Sequence, residues 1–250
     1  MTHPIKRRDV LRLFSLSLAG AAGSGYSQTT WPAKPVTLIV PFPAGGGTDA
    51  FARPLSAQFA RFAGKQLVID NRGGAGGTLG AGIAARAAPD GYTLFMGAVH
   101  HAIAPAMYPK LDYDLEKDFV PLLLLANVPQ VLVVNPKNVP GDYKAFMAKV
   151  KANPGKLNYG SAGAGTSHHL AGELFNRLTQ IYMLHFPYRS TASALQDMVA
   201  GNMDPMFDSL TGVLPQIKAG KLLDLRISTA RRSPGMPELP TLEEAGSTLT

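Results

Sequence analysis

At 250 residues, with 46% hydrophobic and 16% charged side chains, the chain is too apolar for a disordered protein and suits one large domain or two smaller ones. Its formal charge is +7, of which Lys6, Arg7, Arg8 and Arg12 less Asp9 supply +3, leaving +4 beyond the first segment. No basic stripe with interleaved aromatics follows, which argues against nucleic acid and leaves a small anionic ligand compatible with the charge.

Residues 1–28 read as an export signal. Basic residues precede an apolar stretch from Leu11 to Ala22, followed by small residues up to Gln28. The stretch is shorter than the ~20 residues a membrane-spanning helix needs. The adjacent Arg7 and Arg8 fit a twin-arginine route as well as an ordinary secretory one, and cleavage fits after Ala21 or after Ser27. Cysteine is absent, so there is no thiol to acylate, and the exported protein is expected to be unanchored in a periplasm.

Strand and helix patterns then alternate. Val36 to Val40 is a β-branched strand. Phe51, Leu55, Phe59 and Phe62 share one helix face, with Pro54 expected in the first turn. Leu67 to Ile69 gives a strand, and a glycine loop at Gly73–Gly77 leads to an Ala-rich helix ending near Ala88. Pro89-Asp90-Gly91 turns the chain into a strand from Tyr92 to Met96. Further on come strands at Val131–Val134, Leu157–Tyr159, Leu184–Pro187, Met203–Phe207 and Leu222–Ile227. Between them lie helices at Tyr143–Lys151, Thr166–Leu178, Ala192–Val199 and Leu210–Lys218. This alternation predicts an α/β fold with mainly parallel sheets flanked by helices, in two lobes. The boundaries expected are 29–128 plus 228–250 for the first lobe and 129–227 for the second.

Two glycine-rich turns carry the chemistry. Pro41-Phe42-Pro43-Ala44-Gly45-Gly46-Gly47-Thr48-Asp49 and Tyr159-Gly160-Ser161-Ala162-Gly163-Ala164-Gly165-Thr166-Ser167 each join a strand to a helix. Such turns leave the first helical N–H groups unpaired at the positive end of the helix dipole, which suits a carboxylate or phosphate. Capping alone, with Ser161 and Thr166 serving only the local backbone, is the plain alternative.

Rival readings of these residues are weaker. Gly45, Gly47 and Ala50 fit a dinucleotide fingerprint with Asp70 as its acid, but Pro41–Ala44 separates the strand from the first glycine where the fingerprint wants a tight turn. Gly160-Ser161-Ala162-Gly163 lacks the spacing of a hydrolase elbow, so no catalytic serine is expected. His169 and Glu173 share a helix face, but two ligands do not hold zinc. His100-His101 reads as a surface or hinge pair. Tyr188 and Arg189 either reach a carboxylate or serve as core and solvated charge, and Asp208 either faces a ligand or caps the next helix.

Ordered segments give the chain a resemblance. They are Trp31–Pro35, Pro41–Asp49, Asn71–Gly77, Pro89–Leu94, Tyr159–Glu173, His185–Tyr188, Ala194–Asp197 and Pro240–Gly246. Together they resemble the Bug or TctC-like family, the periplasmic receptors of tripartite tricarboxylate transporters. The resemblance implies a type II periplasmic-binding fold that closes on a small organic carboxylate and hands it to membrane components, as a monomer with no cofactor and no catalysis. Carried over, it nominates Phe42, Ala44, Gly45, Gly46, Thr48 and Asp49, then Ser161, Ala162, Gly165, Thr166 and His169, with Asp208 at the distal end. Two departures stand out. Arg189-Ser190 replaces the family's usual Lys-Gly, and relatives continue beyond the Pro240–Gly246 segment, so the first lobe is expected to be incomplete and weakly stable. The runner-up function is an exported nicotinamide-dependent oxidoreductase using Gly45, Gly47, Ala50 and Asp70.

Overall fold

Two apolar strands set the architecture, one in the interior of each sheet. A computed structural model of the chain describes residues 30–246, so the expected signal lies outside the described residues. From Lys34 onward the described chain clusters as a single unit holding both sheets. Strand β1 (Val36–Val40) is parallel to β2 (Leu67–Asn71) on one side and β3 (Thr93–Phe95) on the other. Val36, Leu38 and Val40 are buried with Leu67 and with Ala52 of helix α1 (Gly47–Ala63), as expected of a parallel strand covered by helices.

Helix α1 begins earlier than its apolar spacing suggests. Because it starts at Gly47, Pro54 lies in the helix interior and not in the first turn. Proline there cannot supply the bond to Ala50 O, a cost the helix carries in exchange for opening directly off the glycines. Helix α2 (Thr78–Ala85) stops three residues short of Ala88. Helix α3 (Val99–Met107) was not foreseen.

The second sheet has the order β6-β5-β7-β4-β8. Its inner strand β4 (Gln130–Val134) alternates its side chains between two cores. Leu132 and Val134 join Phe146, Phe175 and Phe207, while Val131 and Val133 join Met198, Met206 and Val213. Strands β5 (Asn158–Ser161) and β6 (Leu184–Pro187) are parallel, as are β5 and β7 (Pro205–Ser209). Strand β4 runs antiparallel to β7 and to β8 (Leu223–Ile227), so this sheet is mixed. Four helices connect and cover it: α4 (Tyr143–Ala152), α5 (Ser167–Thr179), α6 (Thr191–Ala200) and α7 (Leu210–Lys218). Each opens on a side-chain cap, from Asp142, Thr166, Ser190 and Ser209 respectively.

The stretch after β8, expected with the first lobe, packs on the second sheet instead. Met236 and Leu239 enter one of its cores and Leu242 the other, and Thr241 forms a parallel bridge with Ile227. Leucines at 239 and 242 are more stable against these faces than in solvent, which fixes where the segment goes. By contrast, Val120 and Leu122 to Leu125 are an exposed apolar run outside any helix or strand, leading toward β4.

The second core is tightly filled around Tyr159 of β5. A Cβ at Gly172 of α5 would come within 2.2 Å of the Tyr159 ring. Gly172→Ala is therefore expected to lower the unfolding free energy by roughly 1–3 kcal/mol, measured by denaturant titration. An unchanged midpoint would contradict this packing.

Candidate functional site

The loops at the strand ends of the two sheets face each other, and glycine allows the backbones to approach. Asp49 holds the first turn from inside. Its carboxylate is 1% exposed and accepts bonds from Gly45 N–H at 2.9 Å, Arg53 Nε at 2.7 Å and Asn71 Nδ2 at 3.2 Å. Burial pushes its pKa up, but the bonds from Gly45, Arg53 and Asn71 outweigh burial and hold it below the ordinary value. Asn71 also donates to Phe42 O, so one side chain of β2 ties down both ends of the turn.

With the turn fixed, the opening of α1 points outward. Its first intrahelical bond runs from Ala50 N–H to Gly46 O, so the amides of Gly47 and Thr48 have no partner within the helix. Gly45 takes a positive φ of 83°, a conformation that favours glycine. A Cβ at Gly46 would lie 3.6 Å from Thr191 Oγ1, and one at Gly47 only 2.8 Å from Ser209 Oγ. The N-termini of α1, α6 and α7 thus meet, one from the first sheet and two from the second. Phe42 is buried, with its ring edge against His100, and Ala44 is exposed on the cleft wall.

The second turn meets a different partner. A Cβ at Gly76 would lie 2.8 Å from Ala164 O and one at Gly163 would lie 3.6 Å from Gly76 N. Tyr108 donates to Ala164 O at 2.9 Å, and Ser167 N–H donates to His100 Nδ1 at 3.0 Å. Helix α3 and the Gly73–Gly77 loop therefore join the turn that the sequence reading paired with Pro41–Asp49. His100 and His101, expected at a surface or hinge, are buried in this contact.

Ser161 and Thr166 are fully buried and serve their own turn. Ser161 Oγ accepts from Gly163 N–H and lies 2.6 Å from His185 Nε2. Thr166 Oγ1 donates to Gly163 O and accepts the His169 amide. Ala162 is buried beside them, and Gly165, at a φ of 76°, donates its N–H to His169 Nδ1. The His169 ring stacks on His185 with centroids 4.1 Å apart. Asp208 is also enclosed, bonded by Ser209 N–H and lying 3.5 Å from His168 Nε2. Ser209, not Asp208, supplies the side-chain cap of α7.

The open space is a cleft of about 560 Å³ lined by Pro43, Ala44, Asn71, Gly73, Gly74, Ala75 and Arg189. Of these only Ala44 was nominated as a ligand residue. The glycine loop was visible as a motif, and Arg189 was weighed without assignment. Asp70 bonds to Arg72 Nε at 2.9 Å, and Glu173 Oε1 accepts from the Tyr159 hydroxyl. Among the described residues no group of three or more His, Cys, Asp or Glu is arranged to hold a metal ion, and no helix is long and apolar enough to cross a membrane.

Burial, reinforced by His169, lowers the His185 pKa from 6.5 to about 4, while burial with His168 and His101 nearby lowers that of His100 well below its ordinary value. A depressed histidine is accommodated neutral, so its contribution is complete above 6.5 and is lost as pH falls toward 4. Thermal melts are expected to show the midpoint falling across that window, with a shallower fall for His185→Gln. An identical slope in the variant would contradict the assignment.

Residues 51–249 match the family described as "Tripartite tricarboxylate transporter family receptor". The chain is 35% identical over 233 residues to protein BugT of Bordetella pertussis, covering 92% of this chain and 71% of BugT. Among solved structures, R. palustris Rpa4515 with adipate superposes with a TM-score of 0.84 at 35% identity, covering 88% of this chain and 74% of that one. MatC (Rpa3494) from Rhodopseudomonas palustris with bound malate superposes with a TM-score of 0.81 at 38% identity, covering 87% and 74%. These likenesses support solute binding and give no support to the oxidoreductase alternative. With opposed glycine turns at the mouths of two α/β sheets and a sequence match over most of its length, the chain belongs to the tripartite tricarboxylate transporter receptor family.

Proposed function

We propose that the protein is a periplasmic receptor that captures a small organic carboxylate between its lobes and delivers it to the membrane components of a tripartite transporter. The observation that carries this reading is the meeting of three helix N-termini at Gly46 and Gly47 beside an open cleft. Amides without helical partners and aligned dipoles both favour a negative charge there. The malate and adipate held by the related structures have the same chemistry.

In this reading the binding residues are Phe42, Ala44, Gly45, Gly46 and Thr48 on one side. The turn built by Ser161, Ala162, Gly165, Thr166 and His169 forms the other wall, its shape fixed by the bonds Ser161, Thr166 and His169 make within it. Asp49 and Asp208 act from beneath, because carboxylates facing an anion would repel it. Binding is the whole of the activity, with no bond made or broken, and the receptor works as a monomer. Export through the residue 1–28 signal places it where its substrate arrives.

Micromolar affinity corresponds to about −8 kcal/mol, within reach of several charge-assisted hydrogen bonds after ordering costs. Calorimetric titration with malate, adipate, citrate and NAD tests the proposal. Heat with at least one organic acid and none with NAD is expected; the reverse pattern would end it.

The brace under the first turn gives a second test. Asp49→Ala frees the Gly45 amide, Arg53 and Asn71, so carboxylate affinity is expected to fall about tenfold or more, equivalent to about 1.4 kcal/mol. Unchanged affinity in a folded variant would remove Asp49 from the account.

A further inference from the structure

Arg189 stands apart from the other residues of the cleft. It lies in the loop between β6 and α6, the sole contribution of the second sheet to a lining otherwise drawn from the first. The remaining six lining residues are Pro43, Ala44, Asn71, Gly73, Gly74 and Ala75, so the wall carries no acid and no other cation. The Asn71 amide is already committed to Phe42 O and Asp49.

The acids near these turns are engaged within the protein. Asp49 has Arg53, Asp70 has Arg72, and Asp197 accepts the Tyr188 hydroxyl at 2.8 Å. Among the described residues the Arg189 side chain makes no hydrogen bond and no ion pair. An arginine left unpaired on a concave, acid-free wall is complementary to an anion, and its planar fork suits a carboxylate gripped through both oxygens.

Its backbone neighbours place it beside the amide cluster. Thr191, two residues on, has its Oγ1 3.6 Å from a Cβ at Gly46, and Tyr188 O is 3.6 Å from a Cβ at Gly163. The loop 188–191 therefore runs past both glycine turns. Pro43 and Ala44, which lead directly into the α1 opening, line the cleft together with Arg189, and its volume of about 560 Å³ falls in the usual range for a small-molecule site. The wall between is Pro43, Ala44, Ala75 and glycine, suited to a short aliphatic linker.

We propose that Arg189 is the specificity-determining residue of the cleft, pairing with the second carboxylate of a dicarboxylate whose first carboxylate lies on the glycine-turn amides. This rests on the carboxylate-receptor reading above and assigns it a ligand class and a selecting group. Because Arg189 comes from the opposite sheet to the other lining residues, the same contact ties the lobes together only when the ligand carries two charges.

The test compares adipate with hexanoate, which keeps the chain length and removes one charge, in the full chain and in Arg189→Gln and Arg189→Lys. The exposed, unpaired side chain makes both substitutions compatible with folding, checked by an unchanged melt without ligand. Wild type is expected to prefer adipate by about tenfold or more, since charge-assisted pairs are the strong ones. Arg189→Gln is expected to abolish that preference by weakening adipate alone, and Arg189→Lys to retain part of it. Equal loss for both acids, or adipate affinity within about twofold of wild type in Arg189→Gln, would overturn the assignment of Arg189 while leaving the receptor standing. Absence of binding by any organic acid to wild type would overturn both.

Discussion

The buried Asp49 carboxylate is the constraint on which the cleft depends. One acid with three donors holds Gly45, Arg53 and Asn71 in a fixed relation, and Asn71 in turn holds Phe42. Its negative charge lies inside the first turn of α1, where the helix dipole stabilises it. The outward-facing amides of Gly47 and Thr48 then keep a fixed direction without a ligand. Such preorganisation limits the ordering cost that otherwise consumes binding energy.

The same economy of backbone contact holds the lobes together. The turns meet through glycine clearances of 2.8 to 3.6 Å and through a few directed bonds, Tyr108 to Ala164 O and Ser167 N–H to His100. Among the described residues the buried apolar clusters belong to one sheet or the other. A contact made of hydrogen bonds and small residues is compatible with opening and closing, which a receptor of this kind requires. The buried neutral histidines fit this arrangement, because His100 accepts a bond only through an unprotonated Nδ1.

Much of the fold was legible in the sequence because hydrophobic periodicity and capping residues agree. The eight strands of the described residues lie within a few residues of the runs read as strands, and Thr166 caps its helix as its place in the sequence suggests, whereas the caps Ser190 and Ser209 emerge only in the structure. Helix α3 was missed because its Val99-His100-His101-Ala102 start carries no Ser, Thr, Asp or Asn cap and Pro105 interrupts its pattern. The direction of β4 was hidden for another reason: periodicity says nothing about which neighbour a strand pairs with. The glycine turns were readable as candidate anion sites, but their true neighbours were not. Thr191, Ser209 and Gly76 approach them across the chain, and only the folded topology brings those loops together. For Arg189 the sequence left a carboxylate contact and a solvated charge equally open, because the acid-free wall beside it is assembled only by the fold.

In the proposed receptor the amides of Gly47 and Thr48 at the opening of α1 grip the ligand, against a wall formed by the Gly163–Thr166 turn. Hydrogen exchange of peptides covering 42–50 and 160–169, measured with and without saturating adipate, addresses it most directly. Both peptides are predicted to slow markedly on ligand addition, with little change on the outer faces of α4 and α7. Binding of adipate with unchanged exchange in both peptides would contradict the account.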